Sequence, residues 1–127
     1  MNALEIEVVG APVMLPAAEV ERLVALALAS AGIEDGHVAV EFVGSARIRE
    51  LNREWRGKDA PTDVLSFPID ETAPPAGPRE VGDVVIAPEH TRDLREAVVH
   101  GALHLAGMDH ETDDGEMLAL QRELLSW

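Results

Sequence analysis

The chain has 127 residues, 46% of them hydrophobic, which is enough for one domain with a sizeable core. It contains no cysteine, so disulfides and thiolate metal sites are excluded. The formal net charge of −14 argues against general affinity for nucleic acid, because a phosphate backbone would be repelled. The chain does not open on a basic segment followed by an apolar one, so we expect no signal peptide, and its longest strongly apolar run is too short to span a bilayer. We therefore predict a single domain over residues 1–127, cytoplasmic and without a membrane contact.

The first half of the chain alternates strands and helices. Apolar and acidic residues alternate over 4–8, which predicts a half-exposed strand. Pro16 suits the first turn of a helix whose apolar residues recur at helical spacing, and Gly32 ends that helix. A second strand is predicted over 38–42. A second helix follows over 45–56, with Ser45 as a candidate N-terminal cap.

Half of the cations lie in or just after this second helix. They are Arg47, Arg49, Arg53, Arg56 and Lys58. The apolar face of the same helix is predicted to comprise Ile48, Leu51 and Trp55. Two interpretations remain open for the basic residues: a patch that binds RNA weakly and with strong salt dependence, or a solvated helix face.

The second half predicts two strands and two helices. Strands over 62–67 and 81–87 flank a proline-rich surface loop at 70–79. Pro88 is predicted to begin a helix that runs to about residue 106 and is apolar nearly all round in its second half, hence buried. The last helix has one apolar face, formed by Met117, Leu120 and Leu124. The order β-α-β-α-β-β-α-α predicts an α+β fold, a small mixed four-stranded sheet covered by helices with a buried histidine-bearing helix.

Three of the five histidines lie close together near the end of that helix. His100 and His104 are four residues apart and share one helix face, so both imidazoles can reach one ion. Gly107 ends the helix and lets the chain turn back, which brings His110 to the same ion. Three histidines leave the fourth position of a tetrahedral zinc open for water, as in catalytic sites. We predict one Zn²⁺ per chain, held by His100, His104 and His110. Asp109 either orients a ligand imidazole or is a plain turn residue.

The same histidine spacing is found in one large group of metalloproteases. Those enzymes place a glutamate directly after the first histidine as the general base, whereas this chain has Gly101. A metalloprotease-like hydrolase is therefore the less favoured alternative. A glycine inside a helix costs about 1 kcal/mol relative to alanine, and we attribute Gly101 to a lack of space beside the ion or a neighbouring strand.

Two separated stretches resemble the signatures of the YbeY family of bacterial endoribonucleases, also called ribosomal RNA maturation factors. Residues 51–59 with 61–68 resemble one signature, and residues 100–110 match the other without a gap. Residues 82–86 also resemble the fourth strand of the family. The segment between Ile86 and the histidine helix is shorter than is usual in the family.

The resemblance implies a zinc-dependent endoribonuclease that hydrolyses single-stranded RNA. It implies a role in 3′-end maturation of 16S ribosomal RNA and in ribosome quality control, with ribosomal RNA and the small ribosomal subunit and its proteins as partners. Carried onto this sequence, it identifies His100, His104 and His110 as zinc ligands and Arg56 as the catalytic arginine. The acidic charge keeps one alternative open, a metal-stabilised ribosome-assembly module without cleavage activity.

Overall fold

The computed structural model describes residues 4–12, 14–33, 36–68, 80–107 and 115–126. In these ranges the chain forms four strands and four α-helices, with a short 3-10 helix at Pro88–His90. The elements in order are β1 (Leu4–Val9), α1 (Ala17–Ser30), β2 (Gly36–Phe42), α2 (Ser45–Arg56), β3 (Val64–Pro68), β4 (Glu80–Ile86), α3 (Leu94–Leu105) and α4 (Glu116–Leu125). This is the element order that the sequence predicted.

The strands form one mixed sheet in the order β1-β2-β4-β3. β1, β2 and β4 run parallel to one another, whereas β3 is antiparallel to β4 and lies at the edge. A proline is tolerated at an edge because it removes only one backbone donor, and Pro68 is the last residue of β3. The predicted α+β fold with a mixed four-stranded sheet is confirmed.

The two faces of the sheet carry separate apolar clusters. The larger cluster buries α1, α3 and α4 against one face, with Val40 and Val84 among its fully enclosed strand residues. The smaller cluster lies on the opposite face, where Ile48 of α2 packs on Leu65 and Val85. Successive strand residues point to opposite faces, so Val84 and Val85 serve the two layers separately.

Helix α3 lies at the centre of the larger cluster. Its buried residues are Ala97, Val98, Val99, Gly101, Ala102, Leu103 and Leu105, whereas the side chains of His100 and His104 are only half-buried. The prediction that this helix begins at Pro88 is wrong. Asp93 interrupts it, because its carboxylate accepts hydrogen bonds from the backbone N–H groups of Arg95 and Glu96 and thereby caps a helix that begins at Leu94.

Two smaller expectations about α2 also change. Gly44, not Ser45, occupies the N-cap position, and the Ser45 N–H donates to the Glu89 carboxylate at 3.1 Å. Trp55 was predicted on the apolar face but is 64% exposed, with its ring edge-on to Phe67. Phe67 belongs to β3, the edge strand of the sheet, so the Trp55 ring contacts the sheet only at its margin. In the described part of the chain, no helix is long and apolar enough to cross a membrane.

Candidate metal site and the adjoining cleft

His100 and His104 meet on one face of α3, as their spacing predicts. Their Nε2 atoms are 3.1 Å apart and their ring centroids 4.7 Å apart, with the rings inclined at 74°. Two nitrogen ligands of a tetrahedral zinc lie about 3.3 Å apart when each Zn–N distance is about 2.05 Å. The pair therefore fits two corners of a zinc tetrahedron without rearrangement of the helix.

A third ligand is needed to complete a catalytic zinc site. Within the described ranges, no group of three or more histidine, aspartate or glutamate side chains is placed to hold a metal. His110, the predicted third ligand, and Asp109 lie outside the described residues. Coordination by His110 accordingly stays a prediction.

Gln121 of α4 contacts the first histidine from behind. Its Oε1 lies 2.8 Å from His100 Nδ1, and only 5% of the residue is exposed. The other ring nitrogen of His100, Nε2, faces His104. The two nitrogens of this imidazole thus have separate surroundings, a buried amide on one side and the second histidine on the other.

Gly101 allows α3 to lie directly on the sheet. A Cβ atom added at this position would be 2.6 Å from Val84 Cγ1 and 3.2 Å from Val64 Cγ2. The Ser66 hydroxyl donates a hydrogen bond to the Gly101 carbonyl at 3.0 Å and ties the helix to β3. These contacts fix the height of the histidine pair above the strands, and they confirm that a neighbouring strand occupies the space beside Gly101.

A cleft of about 550 Å³ opens beside the two histidines. Its lining residues are Asn52, Arg56, Lys58, Thr62, Asp63, Val64, Leu65, Ser66, His100 and His104. Arg56 is the last residue of α2, and Gly57 follows in the left-handed conformation that ends the helix (φ 72°). The α2 terminus therefore delivers Arg56 and Lys58 to the same cavity as the histidine pair.

Hydrogen bonds hold the loop after α2 in place. The buried Asn52 side chain donates to the Ala60 carbonyl at 2.8 Å. Arg49 donates to the Asp59 carboxylate at 2.9 Å, and this hydrogen bond lowers the pKa of Asp59 below its ordinary value. The loop that carries Lys58 is thus joined to α2 by two hydrogen bonds, at Asp59 and at Ala60.

The five cations in and just after α2 separate into two groups. Arg47 and Arg49 form ion pairs with Glu50 and Asp59, respectively. By contrast, Arg53, Arg56 and Lys58 make no ion pair with any carboxylate in the described ranges, and of these three only Arg56 and Lys58 line the cleft. Arg56 and Lys58 are therefore available to an anion in the cleft, which favours the basic-patch interpretation for these two residues only.

A second cleft of about 590 Å³ shares Asp63, Val64 and His100 with the first. It also contains Arg92, but Asp63, Asp93 and Glu96 make its net charge negative. His100 thus lies between one cleft whose two cations make no ion pair with the described residues and a second cleft dominated by carboxylates. An anionic chain would be attracted to the first and repelled by the second.

Residues 15–127 match the sequence profile of a family described as endoribonuclease YbeY. The chain belongs to this family. A protein named endoribonuclease YbeY from Azorhizobium caulinodans is 44% identical over 117 aligned residues, which cover 79% of this chain and 74% of that protein. Its namesake from Geobacillus kaustophilus is 42% identical over 129 residues, which cover 84% of this chain and 83% of that protein.

The fold agrees with a solved structure of similar size. The solution structure of TM1509 from Thermotoga maritima aligns with a TM-score of 0.59 at 29% sequence identity. The alignment covers 96% of this chain and 87% of that chain. The YbeY assignment made from the two sequence signatures is confirmed.

The structure brings together three of the four predicted site residues. Arg56, His100 and His104 all line one cleft of this YbeY chain. Sequence reasoning did not select Gln121, which interrupts the apolar face of α4 that was assigned to Met117, Leu120 and Leu124. A polar residue at that helical spacing was the available signal, but its partner on α3 could not be known.

Proposed function

We propose that the chain is a zinc-dependent endoribonuclease that hydrolyses phosphodiester bonds of single-stranded RNA. We further propose that it acts in 3′-end maturation of 16S ribosomal RNA and in ribosome quality control, in the cytoplasm and on the small ribosomal subunit. The observation that carries the proposal is the placement of two converging imidazoles, 3.1 Å apart at Nε2, in one cleft with Arg56. The endoribonuclease names of its relatives support the choice of RNA as substrate.

His100, His104 and His110 would hold the zinc, and two of these residues have a spacing that suits it. When bound, zinc supplies a Lewis acid that activates water and polarises a phosphoryl oxygen. The two histidines are half-buried, so RNA in the cleft could reach their imidazoles, while the buried face of α3 packs into the larger apolar cluster. Cleavage would also require a side chain that holds the scissile phosphate beside these imidazoles.

We assign the binding of the scissile phosphate to Arg56. Its guanidinium is planar, always charged and able to donate two parallel hydrogen bonds to one phosphate. It has no carboxylate partner in the described part of the chain, so phosphate binding does not require an existing ion pair to break. Lys58 would contact a neighbouring phosphate as a point charge. The acidic second cleft would discourage the strand from binding on the opposite side of His100.

Peptide hydrolysis is disfavoured by the packing at Gly101. A metalloprotease of this spacing needs a glutamate there, but even a Cβ atom would lie 2.6 Å from Val84. The position therefore has no room for a general base. Another group must therefore accept the proton of the attacking water, or the RNA 2′-hydroxyl must itself be the nucleophile.

The proposal is tested by a nuclease assay on a single-stranded RNA that contains the 3′ region of 16S ribosomal RNA. We expect the wild-type protein with one zinc per chain to cleave this RNA. His104→Ala should lose tight stoichiometric zinc together with cleavage. Arg56→Ala should keep zinc and lose about 10²–10³-fold in cleavage rate, as when one group that stabilises a charged transition state is removed.

Two matched variants control for general effects. His90→Ala removes an exposed histidine outside the cleft, and Arg47→Ala removes an ion-paired cation of the same helix as Arg56. Both should retain zinc and cleavage. Cleavage by His104→Ala at the wild-type rate would contradict the zinc mechanism. A purified, zinc-loaded wild type that binds ribosomal subunits without cleaving RNA would favour the assembly-module alternative.

A further inference from the structure

Gln121 is a buried polar residue on an apolar helix face. It lies on the side of α4 that packs into the larger cluster, between Met117 and Leu124, which are 0% and 2% exposed. The residue is 5% exposed, so water cannot readily replace a missing partner of its amide. Its Oε1 lies 2.8 Å from His100 Nδ1, 21 residues earlier in the chain.

This contact determines which nitrogen of His100 carries the proton. A neutral imidazole has one N–H donor and one lone-pair acceptor, and the partner of one nitrogen sets the state of the other. An amide oxygen can only accept, so it selects the tautomer with the proton on Nδ1. The lone pair of Nε2 then points toward His104 and the cleft, which is the state that a metal ligand requires.

We propose that Gln121 is a positioning residue that acts through His100. Its amide oxygen accepts a hydrogen bond from Nδ1–H of the neutral ring, holds the ring orientation and leaves the Nε2 lone pair directed at His104 Nε2, 3.1 Å away, so that His100 presents the atom that would bind the ion. This proposal depends on the proposed function, because it assigns His100 as a zinc ligand. It adds a role for α4, which contributes none of the predicted ligands.

The alternative arrangement is an amide turned by 180°. The amide nitrogen would then donate to Nδ1 and select the opposite tautomer, with the proton on Nε2, which cannot bind a metal. Gln121→Glu distinguishes the two arrangements, because an ionised carboxylate accepts and cannot donate. Gln121→Leu keeps a similar volume and removes the acceptor. These two variants therefore separate the hydrogen bond from the packing of the side chain.

The first measurement uses the zinc-free wild-type protein. Nitrogen-15 chemical shifts of the His100 ring, from long-range proton–nitrogen correlation spectra, report the tautomer directly. We expect the Nδ1–H tautomer in wild type and in Gln121→Glu, and a mixture or the Nε2–H tautomer in Gln121→Leu. An Nε2–H tautomer in wild type would overturn the proposal without any variant having to fold.

The second measurement is zinc affinity by competition with a chromophoric chelator. Loss of a partner behind a ligand histidine weakens zinc binding by about 10–100-fold, and we expect that loss in Gln121→Leu and wild-type affinity in Gln121→Glu. Leu120→Ala is the matched control, because it loosens the packing of α4 and leaves the amide intact. It should lower the melting temperature without changing the tautomer or the affinity.

The outcomes separate the two proposals. Equal zinc affinity in Gln121→Leu and wild type would refute the role of Gln121, whatever the cleavage assay shows. Loss of affinity in Leu120→Ala equal to that in Gln121→Leu would also refute it, because general packing would then explain both. A wild type that binds zinc with the expected tautomer yet cleaves no RNA would refute the nuclease function and leave the role of Gln121 supported.

Discussion

Replacement of Gly101 by alanine tests how closely the histidine helix lies on the sheet. In an exposed helix this change stabilises by about 1 kcal/mol, since glycine loses more backbone entropy. Here the new Cβ atom would lie 2.6 Å from Val84 Cγ1, well inside van der Waals contact. Val84 is 1% exposed and β-branched, so it cannot move aside by changing rotamer freely.

The net effect follows from these two opposing contributions. Insertion of one methyl group into a packed core costs about 1–3 kcal/mol. After subtraction of the helix gain, Gly101→Ala should lower the free energy of unfolding by about 0–2 kcal/mol. For a domain of this size the melting temperature should fall by about 3–5 °C for each kcal/mol. Urea and thermal unfolding of the zinc-free protein measure both quantities.

A double-mutant cycle with Val84→Ala provides the control. Val84→Ala alone destabilises by leaving a cavity, but it removes the atom that the new methyl group would strike. In that background Gly101→Ala should therefore stabilise, by up to about 1 kcal/mol from helix propensity together with partial filling of the cavity. The change of sign is the diagnostic result. Stabilisation of the otherwise wild-type protein by the full helix gain, or the same effect in both backgrounds, would refute the reasoning.

Three further predictions concern the supports of the site. Ser66→Ala removes the hydrogen bond to the Gly101 carbonyl and should cost about 0.5–1.5 kcal/mol in the free energy of unfolding by urea titration. Asp93→Ala removes the α3 cap and should cost about 1 kcal/mol, whereas Asp93→Asn should cost much less. The hydrogen bond from Arg49 lowers the pKa of Asp59 in the folded state, so its stabilisation is present above the ordinary carboxyl pKa and is lost as pH falls through the lower folded pKa. Carbon-13 NMR should show the pKa of Asp59 rising toward its ordinary value in Arg49→Ala, and an unchanged pKa would contradict that assignment.

Local spacing in the sequence predicted the elements and the histidine pair. Residues i and i+4 of a helix are always neighbours, so the approach of His100 to His104 required only that the segment be helical. Alternating residues predicted the strands for the same reason, since side chains of a strand alternate between faces. Helix boundaries were harder to predict, because a side-chain cap can start a helix several residues after the proline that was expected to begin it, as Asp93 does after Pro88.

The packing of distant segments could not be predicted from spacing. Whether Arg56 and the histidines would share a cleft depended on α2 and α3 covering opposite faces of the sheet while both border the cleft lined by the first residues of β3. The burial of Trp55 was overestimated because helical periodicity gives the direction of a side chain but not the extent of the sheet beneath it. The contact between Gln121 and His100 depended on how α4 packs against α3, which the periodicity within either helix does not predict.

The sequence by itself determined the order of strands and helices and the placement of two imidazoles on one helix face, because each depends on neighbours within a turn or a strand. It also indicated, through the glycine at position 101, that the histidine helix is closely packed there. The tertiary structure alone decided that Val84 fills the space beside Gly101, that Arg56 enters the histidine cleft and that Gln121 contacts His100. These contacts join separate elements, and only the packing of the whole core around α3 determines which elements meet.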